Sequence, residues 1–201
     1  DTEVKPAFDA LCYGGSYDTH HVSLPQLSAD KMSLTIEYDA KIPDWQIYGP
    51  GPSPVHALVH MAEGKKSLQN AAANRAAKAK FEKAFYAYDK KLMTAAGKVW
   101  SKDYNTNKVD ASTNPLLLVG NGAYMLQSAV PGGSVTLVEN PRHKTNPSGP
   151  KTSGIKTIVY RIIGDGTAAA QALRNQEIDV YQGQPTADSV NLLKAIPTAK
   201  V

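Results

Sequence analysis

The alternation of apolar and polar side chains predicts short strands and helices along this chain. Between residues 33 and 38, apolar and polar side chains alternate, which is typical of a half-buried strand. Residues 74–100 contain no proline and many alanines, and their apolar side chains recur at helical spacing. This segment is therefore predicted to form one long helix. The apolar positions that define it are Phe81, Phe85, Tyr88, Leu92 and Val99.

The C-terminal half begins with the signals of a β-hairpin. Pro131-Gly132-Gly133 separates two strand-like segments, 124–130 and 134–139. Just before them, Gly120-Asn121-Gly122 predicts a turn with one or more positive φ angles, because glycine adopts such angles readily. A hairpin preceded by a tight turn is therefore expected here.

Strand and helix signals then alternate toward the end of the chain. The β-branched residues of 155–163 predict a well-buried strand, and Thr167 is placed to cap a helix over 167–175. A short buried strand is predicted at 178–180, and a last helix begins near Thr186. Strand, helix and strand in this order predict parallel pairing. The predicted fold class is α/β, with a mixed sheet flanked by helices.

Composition narrows the class of protein. The chain has 201 residues, of which 42% are apolar and 20% charged, and these values lie in the globular range. No apolar run approaches the roughly 18 residues of a membrane helix. The chain opens without the basic and apolar regions of a signal peptide. Its single cysteine, Cys12, excludes an internal disulfide framework and lacks an evident activating neighbour.

Positive charge is concentrated in one segment. Residues 60–108 hold 11 of the 22 Lys and Arg but only four Asp and Glu, so the segment carries +7 in a chain of net charge +4. This block is interpreted as the solvated face of a helix, because no aromatic-interleaved motif accompanies it. The alternative is a polyanion-binding module that uses the basic helix 60–108, with Lys78, Lys83 and Lys90 among its contacts.

Motifs for catalysis or metal binding are weak. His56 and His60 have the spacing of two zinc ligands on one helical face, but no glutamate adjoins the first histidine. Gly120-Asn121-Gly122 lacks the third glycine of a dinucleotide loop, and a strand rather than a helix follows it. The phosphate-binding loop and the Gly-x-Ser-x-Gly nucleophile motif are also missing. The sequence predicts no enzyme, no cofactor and no metal.

Four motifs follow one another in the C-terminal half. They are a Gly-x-Gly-x-Tyr-x-Leu turn at 120–126, Val-x-Leu-x-x-Asn-Pro at 135–141, Ile-x-x-x-Ile at 158–162, and Gln-Glu-Ile-Asp-Val at 176–180. This order resembles the peptide- and oligopeptide-binding (family 5) members of the extracytoplasmic solute-binding proteins that serve ABC importers. Upstream, Pro43-Asp44-Trp45 and Pro54-Val55-His56 resemble two further family segments, so the resemblance covers roughly 22–193.

The resemblance implies part of a two-lobed, type II periplasmic-binding-protein fold. Family members are considerably longer, so the chain is expected to be an internal piece of such a protein, a partial lobe over 1–201. Residues 1–32 are then a possible edge of a neighbouring subdomain, and 33–201 form the α/β lobe with a Lys-rich helical segment at about 74–100. In one departure, Gln176 replaces the family's usual glycine, so the turn after the helix is made with a side chain present.

The resemblance also implies a function. A protein of this kind is the substrate-binding component of an ABC transporter, which captures a peptide or a related small solute outside the membrane and delivers it to the permease. It is expected to be a monomer without a nucleic-acid partner, either a cell-surface lipoprotein or periplasmic. Dipeptides, longer peptides, nickel complexes and sugars all remain possible ligands. The isolated chain is expected to bind peptides weakly, because half of the binding cleft is absent.

The candidate ligand-binding residues follow the predicted strand at 178–180. They are Tyr181, Gln182, Gly183 and Gln184, with Trp45 and Tyr48 as weaker candidates. The tyrosine offers an aromatic wall and a hydroxyl, and each glutamine can donate to and accept from a peptide backbone. The alternative interpretation is a surface turn with solvated glutamines, and packing under the Pro/Gly loop for the two weaker candidates.

Overall fold

A computed structural model describes residues 24–41, 43, 53–87, 89–143, 154–184 and 186–200. Two short strands lead into a helical region, which is followed by a three-stranded sheet and two further helices. The strands are β1 (Gln26–Leu27), β2 (Leu34–Thr35), β3 (Tyr124–Val130), β4 (Ser134–Glu139) and β5 (Thr157–Arg161). The helices are α1 (Val55–Ala62), α2 (Ala71–Tyr86), α3 (Lys90–Lys98), α4 (Gly166–Arg174) and α5 (Ala187–Lys194), with a π-helical turn at Val99–Asp103 and a 3-10 turn at Pro115–Leu118.

The main core lies among α1, α2 and α3. Helix α1 packs against both of the others, and its Leu58 is 1% exposed. Phe85 of α2 shares an apolar cluster with Leu92 and Met93 of α3. Fully burying a leucine, methionine or phenylalanine side chain contributes roughly 1.5–3 kcal/mol. This core therefore supplies much of the stability of the helical region.

The prediction of one helix over 74–100 is wrong, because the structure has two. Helix α2 ends at Tyr86, and α3 begins after Asp89, whose side chain accepts a hydrogen bond from the backbone N–H of Leu92. An aspartate in this position satisfies one of the free N–H groups of a new helix. The break allows both helices to face the same apolar cluster. Tyr88 lies outside the described residues.

The hairpin prediction is confirmed. Strands β3 and β4 pair antiparallel, and β4 pairs antiparallel with β5. In the turn between β3 and β4, Gly132 has a φ of +67°, a conformation that glycine adopts without steric cost. A β-bulge between Leu126 and Ser128 shifts the register of the pair. The sheet order is β3-β4-β5.

The prediction of positive φ angles in Gly120-Asn121-Gly122 is wrong. Asn140, which follows β4, holds this segment instead. Its side-chain amide donates to the carbonyl of Gly122 at 2.9 Å, and its backbone N–H donates to the carbonyl of Ala123 at 2.8 Å. These bonds fix the approach to β3 without a left-handed residue.

Parallel pairing is wrong for the described strands, which pair antiparallel. The predicted strand at 178–180 does not form, and Val180 is 80% exposed. Strand β5 forms within the predicted 155–163 but is not buried, since Val159 and Tyr160 are 53% and 58% exposed. β-Branched residues favour a strand whether or not another layer covers it, so the pattern did not determine burial.

Of three further predicted boundaries, two differ from the structure and one is confirmed. The strand expected over 33–38 shortens to β2, which pairs with β1. Helix α4 is capped by Asp165 rather than Thr167, because the Asp165 carboxylate accepts the N–H of Ala168 at 2.8 Å. Helix α5 follows Thr186 as predicted, and this residue caps it.

Helices and antiparallel sheets in one chain fit the predicted α/β class. The longest helix in the described part of the chain is α2, with 16 residues, and it carries charged side chains along its length. No helix in the described ranges combines the length and apolar character needed to cross a bilayer.

Candidate solute-binding surface

The candidate loop leaves α4 through a tight, left-handed turn. The N–H of Gln176 donates to the carbonyl of Leu173 at 3.1 Å, and the N–H of Glu177 donates to that of Ala172 at 2.9 Å. This pair of bonds requires a left-handed residue just after the helix. Gln176 has a φ of +61°. The turn is therefore made with a side chain present, as predicted, in a conformation that favours glycine.

Two glycines position Tyr181. The tyrosine ring lies over Gly183, where an added Cβ would overlap the ring and its hydroxyl. A Cβ added to Gly166, the first residue of α4, would lie 3.3 Å from the same hydroxyl. Tyr181 is therefore half-buried, with its hydroxyl beside the N-terminus of α4. A side chain at position 183 would therefore displace the Tyr181 ring.

Ser189 holds the far end of the loop. It is buried within α5, and its hydroxyl lies 3.4 Å from the carbonyl of Gln184 and 3.0 Å from that of Thr186. It also accepts the backbone N–H of Thr186 at 3.0 Å. These contacts tie Gln184 and Thr186 to the start of α5. The loop thus runs from the C-terminal end of α4 to the N-terminal end of α5.

A cavity of about 740 Å³ opens beside this loop. Tyr181 lines the cavity, whereas Gln182, Gly183 and Gln184 are exposed and do not line it. The structure therefore brings one of the four predicted residues to the cavity. The cavity is also lined by polar residues that were not candidates for ligand binding, namely Gln176, Asp179, Thr198 and Lys200.

Two of these residues carried a signal in the sequence. Gln176 and Asp179 belong to the motif at 176–180, for which the sequence predicts a turn at Gln176 and a buried strand over 178–180. Lys200 lies outside the four motifs. Only the packing of the C-terminal segment brings it into the lining of the cavity. The other two candidates, Trp45 and Tyr48, lie outside the described residues, so their role stays a prediction.

A second cavity, of about 520 Å³, lies against the three-stranded sheet. Its lining is mainly apolar and includes Leu117, Leu126, Val135 and Ile162. Tyr104 also lines it, and burial raises the pKa of the tyrosine hydroxyl, which has no hydrogen-bond partner among the described residues. No sequence pattern predicts this cavity, because its lining comes from separate segments.

His60 has a structural role in α1. It is 2% exposed, its Nε2 lies 3.0 Å from Asn74 Oδ1, and its Nδ1 lies 3.3 Å from the Lys65 ammonium. An ammonium group only donates, so Nδ1 accepts and Nε2 carries the proton. Both ring nitrogens are thus engaged within the fold. Nearby, Glu63 contacts both Lys80 and Lys65, and these contacts lower the pKa of its carboxyl, the Lys80 hydrogen bond most strongly.

His56, one turn earlier on α1, has a different environment. Its Nδ1 is buried and has no hydrogen-bond partner in the ranges that the structure describes. Burial lowers the pKa of His56, and the charges of Lys78 and His60 lower it further. Within those ranges, no three His, Cys, Asp or Glu side chains group as a possible metal site.

The comparison with protein families agrees with the motif order. Residues 50–201 match the family of bacterial extracellular solute-binding proteins, family 5 (middle). The match covers most of the chain, so the chain belongs to this family. No curated protein and no solved structure matches it in the corresponding comparisons. The family supports a role as the substrate-binding component of an ABC transporter, acting outside the cytoplasmic membrane.

Proposed function

We propose that this protein captures a short peptide or a related small solute outside the membrane and delivers it to an ABC permease. The observation that carries the proposal is the 740 Å³ cavity beside the Tyr181 loop, within the region that matches the family. Ligand sites of this kind are concave and combine apolar walls with a few placed polar groups. In this cavity, Leu173, Ile178 and Leu193 supply the apolar part.

The polar lining suits a peptide. Asp179 and Lys200 carry opposite charges, which match the free amino and carboxyl groups of a short peptide. Gln176 offers both a donor and an acceptor for a peptide bond, and Tyr181 offers a ring and a hydroxyl. Gln182 and Gln184 lie in the same loop and are exposed, so their amides are accessible to a longer peptide.

The proposal is tested by titrating the protein with alanine peptides of two to five residues and following backbone amide signals by NMR. We expect the largest shifts at 176–181. Asp179→Asn should weaken binding about tenfold or more, because a charge-assisted hydrogen bond is lost. Asp188→Asn is the matched control, since Asp188 is an exposed aspartate of α5 outside the lining.

Two results would contradict the proposal. If no peptide shifts the signals at 176–181, the cavity is not a peptide site. If Asp188→Asn weakens binding as much as Asp179→Asn, the effect comes from net charge and not from the cavity. Glucose and a nickel–histidine complex serve as parallel probes. If one of them binds and the peptides do not, the solute of this protein is a sugar or a nickel complex and not a peptide.

A further inference from the structure

The structure divides the basic segment into paired and unpaired cations. Lys65 and Lys80 contact Glu63, and Lys108 contacts Asp110. Seven other cations of residues 60–108 have no acidic partner among the described residues. They are Lys66, Arg75, Lys78, Lys83, Lys91, Lys98 and Lys102. Most of the excess charge of this segment is therefore not compensated locally.

Three of these cations lie on the outward side of α2. At 3.6 residues per turn, Arg75, Lys78 and Lys83 fall within an arc of about 140°, and all three are exposed. Exposed alanines, Ala72 and Ala79, lie within the same arc. Small side chains between long cations allow all three charges to reach one flat surface together. We call this side of the helix the basic face of α2.

Two other residues of this face, Glu82 and Tyr86, do not prevent the three cations from contacting a flat surface. Glu82 lies within this arc, but the Lys31 ammonium contacts the Glu82 carboxylate at 2.7 Å, so its charge is offset. The Tyr86 hydroxyl donates to the carbonyl of Pro25 at 2.9 Å, and its ring meets Phe85 edge-on. Tyr86 is 43% exposed, but its hydroxyl and its ring both make contacts within the fold.

We propose that the basic face of α2 binds an anionic phospholipid surface through Arg75, Lys78 and Lys83. The family supports a role outside the cytoplasmic membrane with an ABC transporter, whose permease lies in a bilayer, so a bilayer surface is near. Each Lys or Arg near an anionic bilayer adds attraction that decays within a Debye length. The contact keeps the protein near the membrane independently of any solute, so this proposal does not depend on peptide capture.

The experiment is cosedimentation of the full chain with vesicles of phosphatidylcholine, either alone or mixed with phosphatidylglycerol. We expect binding only to the mixed vesicles and a steep loss as salt is raised. The triple variant Arg75→Gln, Lys78→Gln and Lys83→Gln should reduce the partition coefficient on the order of a hundredfold. Glutamine keeps a high helix propensity, so α2 is retained, which circular dichroism verifies.

The matched control removes one arginine and two lysines elsewhere, in the variant Lys156→Gln, Arg174→Gln and Lys194→Gln. All three are exposed and lie outside α2. The control should keep wild-type partitioning. Equal losses in both triple variants would assign the binding to net charge and overturn the proposal. Binding that does not respond to phosphatidylglycerol would overturn it too, as would retention on duplex DNA at the salt that releases the vesicles.

Discussion

The helical region, residues 53–118, and the C-terminal region, residues 154–200, bury their side chains differently. In the helical region, Leu58 and Met93 are at most 1% exposed. Among the described residues of the C-terminal region, the buried ones are three alanines of α4 together with Ser189 and Ile196. Several large apolar side chains of that region are instead more than half exposed, namely Ile155, Val159, Tyr160, Ile162 and Val180.

The difference arises from the geometry of the elements. Helix α1 contacts both α2 and α3, so its inner face is enclosed from two sides. In the C-terminal region α4 packs on α5, and alanines allow the two helices to approach without large side chains. Apolar composition alone therefore does not create a core, because a core also needs elements that meet around it.

The largest effect is expected in the helical region. Leu58→Ala should lower the free energy of unfolding by about 2–5 kcal/mol, because it removes buried methyl groups and leaves a cavity. Leu192→Ala is the control, since Leu192 of α5 is 37% exposed and should lose less than about 1 kcal/mol. Denaturant unfolding measures both, and equal losses would contradict the contrast between the two regions.

A smaller effect of opposite sign is expected at the turn after α4. Gln176→Gly should raise the free energy of unfolding by roughly 0.5–1 kcal/mol, because glycine accepts the φ of +61° without a Cβ clash. Asn175→Gly is the matched change, at a φ of −76°, and should lower stability instead. Thermal melts compare the two. Destabilisation by Gln176→Gly would show that the glutamine side chain makes a contact worth more than the strain.

The pH dependence of the helical region follows from His56. Its pKa in the folded protein is lowered below 6.5 by burial first, then by Lys78 and His60. The unfolded chain therefore binds more protons there, and stability is lost as the pH falls below about 6.5 toward the folded pKa. His56→Leu should lose less stability than the wild type between about pH 7 and pH 5. If the free energy of unfolding changes with pH equally in both proteins, the pH dependence does not come from His56.

The smallest effect is expected on the exposed face of β5. Val159→Thr should change the free energy of unfolding by no more than about 0.5 kcal/mol, because Val159 is 53% exposed and threonine suits a strand. The same substitution at Val59 of α1, which is 0% exposed, buries a hydroxyl and should cost roughly 1–3 kcal/mol. If both variants lose the same amount, the two regions do not differ in burial as described.

Local signals predicted much of the fold but little of the candidate site. The Pro131-Gly132-Gly133 hairpin and the start of α5 at Thr186 are found where they were predicted. The loop at Tyr181 is found where it was predicted, but the strand predicted before it at 178–180 does not form. Only Tyr181 of the four predicted loop residues lines the cavity, because side-chain direction depends on packing against Gly183 and Gly166.

By itself, the sequence determined the family, the hairpin, the excess of positive charge and the position of an unusual turn at Gln176. These features depend on neighbouring residues or on motif order, so they can be seen without a fold. The tertiary structure decided the division of the long helix at Asp89, the antiparallel pairing of β5 and the exposure of its apolar side chains. It also determined which cations of residues 60–108 are paired. The strand pairing and the exposure depend on contacts between distant segments. The helix break and the ion pairs depend on side-chain geometry, and a pattern of apolar and polar residues contains neither.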